Sequence, residues 1–340
     1  MDTLKIAVVL FLSCSYSSSS PIICPDSCTC SFSDDVTSVV CVSVESLLEV
    51  PTNIPDNATT VSIEFTNITT LKANDFVGLF HLQELHLSNN KLTNITSGLL
   101  RDLGQLRVLD LSANFLNILP PKLFNFSPNL NSLVLQGNRL QTVNPMWFAH
   151  LQNLQWLDLS ANILKSLLPN SFQNLTNLVT LDLSNNKFEK LPSHLFNNLP
   201  KLKRLNLGAN QLHFISSGTF DNVLNLKYLF LDNNKIVKIP VGLFNKLLRL
   251  DTIDLSENRL KSLPPGVFDK LVQIGTEFGQ GVDLSINPWV CDCQLKDLWR
   301  WLKNNSEKVF SLSATVCAEP KATSGEQIAT LLEGELLCLN

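Results

Sequence analysis

The chain has 340 residues, of which 44% are hydrophobic and only 16% charged, with a net charge of −4. That much apolar material supports a sizeable core and excludes a disordered chain. The mild negative charge excludes the strongly basic surface that nucleic-acid binding calls for.

The N-terminus reads MDTLKIAVVLFLSCSYSSSS, with Lys5 ahead of an apolar run from Ile6 to Leu12 and small polar residues after it. This is the layout of a secretory signal peptide, so residues 1–20 are expected to be removed, with cleavage between Ser15 and Ser20. The apolar run is far shorter than the ~20 residues of a membrane span, and no later stretch is long enough either. The C-terminal IATLLEGELLCLN carries two glutamates and a cysteine, which makes a poor lipid-anchor signal. The expectation is a secreted, soluble, extracellular protein with no membrane anchor.

Nine cysteines are present, and Cys14 leaves with the signal. The others fall into two clusters, Cys24, Cys28, Cys30 and Cys41, then Cys291, Cys293, Cys317 and Cys338. An even number at each end of an exported chain points to four disulfides. Clustered cysteines also ligate zinc, but export and the C-x-C spacing of Cys291 and Cys293, unlike the usual C-x₂-C, favour disulfides.

The middle of the chain is periodic. LQELHLSNNKL starts at 82, and related segments start at 106, 130, 154, 178, 202, 226 and 250, each 24 residues after the last. A weaker copy, ATTVSIEFTNI, starts at 58, and a final one ends VDLSINPW after a stretched interval containing GTEFGQG. The pattern L-x-x-L-x-L-x-x-N-x-L is that of leucine-rich repeats. Repeat positions 4 and 6, such as Leu85 and Leu87, alternate with polar residues and predict a short strand with one buried face. Stacked copies predict a curved parallel sheet on the concave side of a coil.

Position 9 is asparagine at residues 90, 114, 138, 162, 186, 210, 234, 258 and 287, with Thr66 in the first copy. An amide that donates and accepts suits a buried turn whose backbone groups need partners. Position 19 is phenylalanine at 76, 124, 148, 172, 196, 220, 244 and 268, with Leu100 as the exception, and predicts an aromatic spine at the back wall. Prolines in LPPKLF and LPPGVF disfavour long helices, so the convex side is expected to be mostly irregular.

An open solenoid exposes its core at both ends and needs caps. The cysteine clusters supply them, which divides the chain into an N-terminal cap (21–57), the repeats (58–286) and a C-terminal cap (287–340). After Cys293, QLKDLWRWL places Leu295, Leu298, Trp299 and Leu302 at helical spacing, so an amphipathic helix is expected to close the core.

No catalytic pattern is present. The histidines at 81, 86, 150, 194 and 213 sit at different repeat positions, and G-x-S-x-G, P-loop and H-E-x-x-H signatures are absent. The expectation is a non-enzyme with no cofactor and no metal.

What remains is surface. Side chains at repeat positions 2, 3, 5, 7 and 8 face the concave side. Position 5 holds Asp110, Asp158, Asp182, Asp254 and Asp283, an acidic column suited to a basic partner. The plainer alternative is that these aspartates solvate the strands or bond neighbouring serines such as Ser160 and Ser184. Trp156, Tyr228, Phe230 and Phe65 fall on exposed strand positions, where interfaces favour aromatics; packing on concave neighbours is the alternative. Lys201, Lys203, Arg204, Lys227 and Arg249 line one edge, as a patch for an acidic partner or as a solvated rim. Glycosylation sequons begin at Asn57, Asn67, Asn94, Asn125, Asn174 and Asn304, none of them on the strand face.

The segment GVDLSINPWVCDCQLKDLWRWLKNNSEKVFSLSATVCAEP, with LQELHLS, LRVLDLS and YLFLDNNKI, resembles the leucine-rich alpha-2-glycoprotein family of secreted leucine-rich repeat proteins. The resemblance implies an α/β-type leucine-rich repeat solenoid with disulfide-bonded caps. Caps of this pattern pair first with third and second with fourth, which implies Cys24–Cys30, Cys28–Cys41, Cys291–Cys317 and Cys293–Cys338. It also implies a monomeric plasma-type glycoprotein that binds proteins, among them cytochrome c and components of transforming growth factor beta signalling. Two other readings stay open. NRLKSLPPGVFDKL is very like the repeats of lamprey-type antigen receptors. A stabilising subunit of a secreted enzyme, as in carboxypeptidase N, would carry the same repeats.

Overall fold

The computed structural model describes residues 24–33, 36–277 and 279–338. The signal-peptide reading of residues 1–20, and Cys14 with it, lies outside them.

Among the described residues, thirteen short strands form one continuous sheet. From Thr37–Val42 onward every pairing is parallel, and in the repeats equal positions stand side by side. Trp156 pairs with Thr180, Thr180 with Arg204, and Arg204 with Tyr228. This follows from the period of 24, because each coil returns the chain to the same place one strand along. Leu85, Leu87 and their equivalents are fully buried beneath the sheet.

The turn after each strand has one recurrent device. The position-8 residue adopts the left-handed conformation in every coil, with φ of 55° at Asn89, 51° at Ala113, 68° at Gly137 and 52° at Glu257. For a residue other than glycine this costs roughly 1–2 kcal/mol. The bend sends the next residue, the asparagine, into the core. There Asn138 Nδ2 donates to the carbonyl of Leu111 one coil back at 2.9 Å and to Leu135 in its own coil at 3.1 Å. Its Oδ1 accepts from Leu116 N–H at 3.0 Å. The same bonds recur down to Asn287, and at the first coil Thr66 donates through both N–H and Oγ1 to Asn90.

The back wall carries the phenylalanine spine. All eight position-19 rings are buried, with Phe148 and Phe172 at 6.0 Å and Phe196 and Phe220 stacked at 6.3 Å between centroids. Between the caps, the described chain outside the concave sheet is mostly turns, with a parallel pair of Thr70–Leu71 and Asn94–Ile95 and one 3₁₀ turn at Pro145–Phe148 capped by Asn144. A second amide ladder runs along one lateral edge. Asn129, Asn153, Asn177 and Asn225 donate to the carbonyls of Gly104, Pro128, Gln152 and Pro200 in the coil before, at 2.7–3.1 Å.

Both ends are closed. The disulfides are Cys24–Cys30, Cys28–Cys41, Cys291–Cys317 and Cys293–Cys338. Helix α1 (Lys296–Asn304) buries Leu298, Trp299 and Leu302 over the last coil, and the Trp299 indole N–H donates to the Leu331 carbonyl at 3.0 Å.

The repeats form the expected parallel sheet, and the N-terminal cap adds an antiparallel edge to it, Thr29–Phe32 beside Thr37–Val42. The caps extend the sheet itself: Val309–Phe310 adds a strand beside Val282–Asp283. One expectation is corrected: Phe65 is not on the strand but follows Thr60–Glu64 and occupies the left-handed turn position, at φ 54°.

Candidate functional site: the concave face

Strand register decides what the concave face presents. The position-5 carboxylates stand in a column, with Asp158 beside Asp182 and Asp254 beside Asp283. Each uses one oxygen to close its own turn. Asp110, Asp158, Asp182, Asp254 and Asp283 accept the backbone N–H two residues on, at 2.8–2.9 Å, and Asp182 and Asp254 also accept from the Ser184 and Ser256 hydroxyls. Asp182 spends its second oxygen on the Asn206 amide. The structural role weighed for these aspartates is therefore real. None of the six column and neighbouring carboxylates, Asp232 included, joins an ion pair among the described residues.

The column is electrostatically uncomfortable. Burial pushes the carboxyls of Asp158 and Asp254 above the ordinary range; Asp182 and Asp110 add repulsion at the first, Asp283 and Glu257 at the second. Asp232 is raised furthest, to about 6, by burial and then by Asp254, Glu257 and Asp283. It stands at position 7, outside the position-5 column, and the reading of the sequence missed it. The available signal was Gly208, the equivalent residue one coil back. A Cβ there would lie 2.5 Å from Asp232 Oδ1, so the glycine makes room for the carboxylate.

The three aromatic candidates are not alike. Trp156 is 45% exposed, between Ser132 and Thr180 in register. Tyr228 and Phe230 are half-buried. Arg204 explains this: its guanidinium lies 4.4 Å from the Phe230 ring centroid and 5.9 Å from that of Tyr228. The insertion before the last coil also reaches Tyr228. Gly275 and Thr276 N–H groups bond the backbone carbonyl and side chain of buried Asp251, and Thr252 bonds Gln280. That fold-back brings Glu277 to 3.3 Å from Lys227 and 3.5 Å from the Tyr228 hydroxyl.

The basic edge is largely engaged. Lys201 and Arg249 bond the ladder amides of Asn177 and Asn225, each at 2.6 Å, and Lys227 pairs with Glu277, while Lys203 is exposed. Of the sequon asparagines, Asn57, Asn94 and Asn304 are exposed and Asn67, Asn125 and Asn174 half-buried. Among the described residues no group of His, Cys, Asp or Glu is arranged to hold a metal ion, and no helix is long and apolar enough to cross a membrane. The site's capacity is for binding: a floor of uncompensated carboxylates with one open indole.

Known proteins echo this architecture. The phospholipase A2 inhibitor of Gloydius brevicaudus siniticus is 48% identical over 69 residues, 20% of this chain and 20% of that protein. Leucine-rich repeat-containing protein 3 of Danio rerio is 34% identical over 102 residues, 30% of this chain and 38% of that protein. Carboxypeptidase N subunit 2 of Homo sapiens is 36% identical over 52 residues, 15% of this chain and 9% of that protein. The matched stretches thus span between 9% and 38% of these relatives' own lengths. A chain in the solved octameric complex of Latrophilin 3, Unc5D and FLRT2 (LRR) superposes with a TM-score of 0.67 at 27% identity, covering 89% of this chain and 83% of that one. The family model described as "Leucine rich repeat" matches residues 56–124, 128–188, 176–236 and 224–275, most of the molecule, so this chain belongs to the leucine-rich repeat family.

Proposed function

We propose that this protein is a secreted, monomeric glycoprotein that binds a protein partner on its concave face. A basic segment of the partner lies along the carboxylate column, and an apolar side chain covers Trp156. The observation that carries the reading is the set of half-buried carboxylates with no cation beside them. An incoming lysine or arginine favours the charged form of Asp158, Asp232 and Asp254, and so offsets the burial and the mutual repulsion that raise them. Arg204, Tyr228 and Phe230 form a pre-ordered shelf beside that column and supply hot-spot residue types. None of the sequon asparagines, Asn57, Asn67, Asn94, Asn125, Asn174 and Asn304, falls in the thirteen-stranded sheet, Asn94 lying in a separate pair with Thr70–Leu71, so glycans on them would leave the concave face bare.

Cytochrome c and transforming growth factor beta, the partners implied by the family resemblance, are the first probes. Surface plasmon resonance of the glycosylated protein is expected to show salt-sensitive binding of a basic partner. Asp158→Asn with Asp182→Asn should weaken it roughly ten-fold or more, and Trp156→Ala should speed dissociation. Binding indifferent to all three substitutions in folded protein would move the partner to an edge or a cap.

A second reading has the partner as a secreted enzyme. Its support is that one relative is named as a phospholipase A2 inhibitor and another as carboxypeptidase N subunit 2. Gel filtration of the native protein from its source fluid separates the readings: co-elution with a catalytic chain favours the second.

A further inference from the structure

Helix α1 has a second face. Leu298, Trp299 and Leu302 point into the core, while Asp297, Arg300, Trp301 and Asn304 recur at i, i+3, i+4 and i+7 and share the opposite side. That side looks across a groove onto Leu263–Asp269, the convex turn of the last regular coil. Together they line a cavity of about 510 Å³, within the ~300–1,000 Å³ range of small-ligand pockets. The Trp301 and Phe268 rings meet at its base, 4.6 Å between centroids, with Pro264 and Pro265 opposite. Asp297 and Arg300 place charges at its rim. Asn304 itself lines the groove, is exposed, and opens the sequon Asn304-Asn305-Ser306.

The groove therefore has an occupant attached at its own wall. We propose that the N-linked glycan on Asn304 folds back into this groove and pins the C-terminal cap to the last coil. This rests on the exported-glycoprotein reading above. Attachment joins the Asn304 side-chain nitrogen to the anomeric carbon of the first sugar, with loss of one amide proton and departure of the lipid-pyrophosphate carrier. An N-acetylhexosamine has an apolar C–H face and a hydroxyl rim. The first matches Trp301 and the prolines; the second matches Asp297 and Arg300. The brace has work to do. Helix α1 has nine residues and no side-chain N-cap, so its stability comes from docking. On this face α1 meets the last coil through Trp301 against Phe268; the ion pairs of Arg300 with Asp297 at 3.6 Å and with Glu333 at 3.0 Å stay within the cap and are exposed, and such pairs contribute little.

The full chain, expressed in a secretory host that adds N-glycans, provides the test. Glycopeptide mass spectrometry reads occupancy, and hydrogen exchange reads residues 263–269 and 297–305. Enzymatic release of the glycan, which leaves Asp at 304, is expected to speed exchange in both segments roughly ten-fold. S306A keeps Asn304 but abolishes the sequon, and should do the same; N94Q should not. W301A should lose the protection while Asn304 stays glycosylated. Should S306A misfold, enzymatic release from the wild-type chain still decides. An occupied Asn304 whose release leaves exchange unchanged overturns the inference. A bare Asn304 beside other occupied sequons also overturns it and leaves the export reading standing. No occupied sequon at all removes both.

Discussion

Replacing Asp232 by asparagine is expected to stabilise the protein at neutral pH. The carboxyl is raised from 3.8 to about 6 in the folded chain, by burial first and then by Asp254, Glu257 and Asp283. The unfolded chain gives up this proton near 3.8, whereas the folded chain keeps it to about 6. Stability from this group is therefore complete below 3.8, falls as pH rises between the two values, and is flat above about 6. The gap corresponds to at most ~3 kcal/mol at 1.36 kcal/mol per pH unit. The group is half-buried, and solvent screening brings the expected cost to roughly 1 kcal/mol. Asparagine keeps the shape and removes the charge. Urea unfolding of wild type and D232N at pH 3.5 and 7.5 reads the difference, which should be near zero at the lower pH and roughly 1 kcal/mol in favour of the variant at the higher one. Taking the difference between the two proteins cancels every other titrating group. A variant less stable at pH 7.5, or a gap independent of pH, would refute the claim that this carboxylate is held against its preference. Gly208→Ala should act through the same side chain, because its new methyl meets Asp232 Oδ1.

Three further variants probe the scaffold. Asn162→Ala strands the Leu140 N–H and the Leu135 carbonyl in the core, and chemical denaturation should show a loss of roughly 2–5 kcal/mol. Phe172→Ala opens a cavity in the spine next to Phe148 and should cost about 3–5 kcal/mol by the same measure. Replacing Cys293 and Cys338 together by serine frees a closure across 45 positions and should cost roughly 2–5 kcal/mol. Its hydrogen-exchange signature should be confined to α1 and the last coil, since each coil contacts only its neighbours.

The sequence disclosed the parts of this molecule that obey the period. A residue every 24 positions with one amide and one turn to satisfy reads directly as the asparagine ladder, and the buried phenylalanines read as a spine for the same reason. The lateral ladder of Asn129, Asn153, Asn177 and Asn225 obeys the same period, yet an asparagine on an exposed loop suits several turn roles, so periodicity did not identify its bond. The insertion is out of register, and no repeat position foretold that Glu277 would fold back toward Tyr228. Cysteine spacing announced closed ends and was silent on strand direction, so the antiparallel edge at Thr29–Phe32 came only with coordinates. On the candidate site, the register already placed Arg204 next to Tyr228 and Trp156 among small residues. The different exposures of these aromatics follow from their neighbours, and single positions did not reveal them.

The acidic column is the point where fold and function separate. Its aspartates each close a turn by accepting the N–H two residues ahead, and that alone would make them structural. Asn206 occupies the same position one coil after Asp182 and closes the same turn, accepting Gly208 N–H at 3.0 Å with no charge. Val134 and Phe230 stand there too, so the strand tolerates a side chain with no acceptor. The turn therefore needs at most an oxygen. The negative charge is additional, and stacking like charges in adjacent strands is unfavourable. Surplus charge that costs stability on an otherwise economical scaffold is what the proposed binding role accounts for. Changing Asp110, Asp158, Asp182 and Asp254 together to asparagine should hold every turn and raise the denaturation midpoint at pH 7.5. The same variant should abolish salt-sensitive association with a basic partner. A quadruple variant that unfolds more readily would return these carboxylates to the scaffold and leave Trp156 and the Arg204 shelf as the remaining concave contacts.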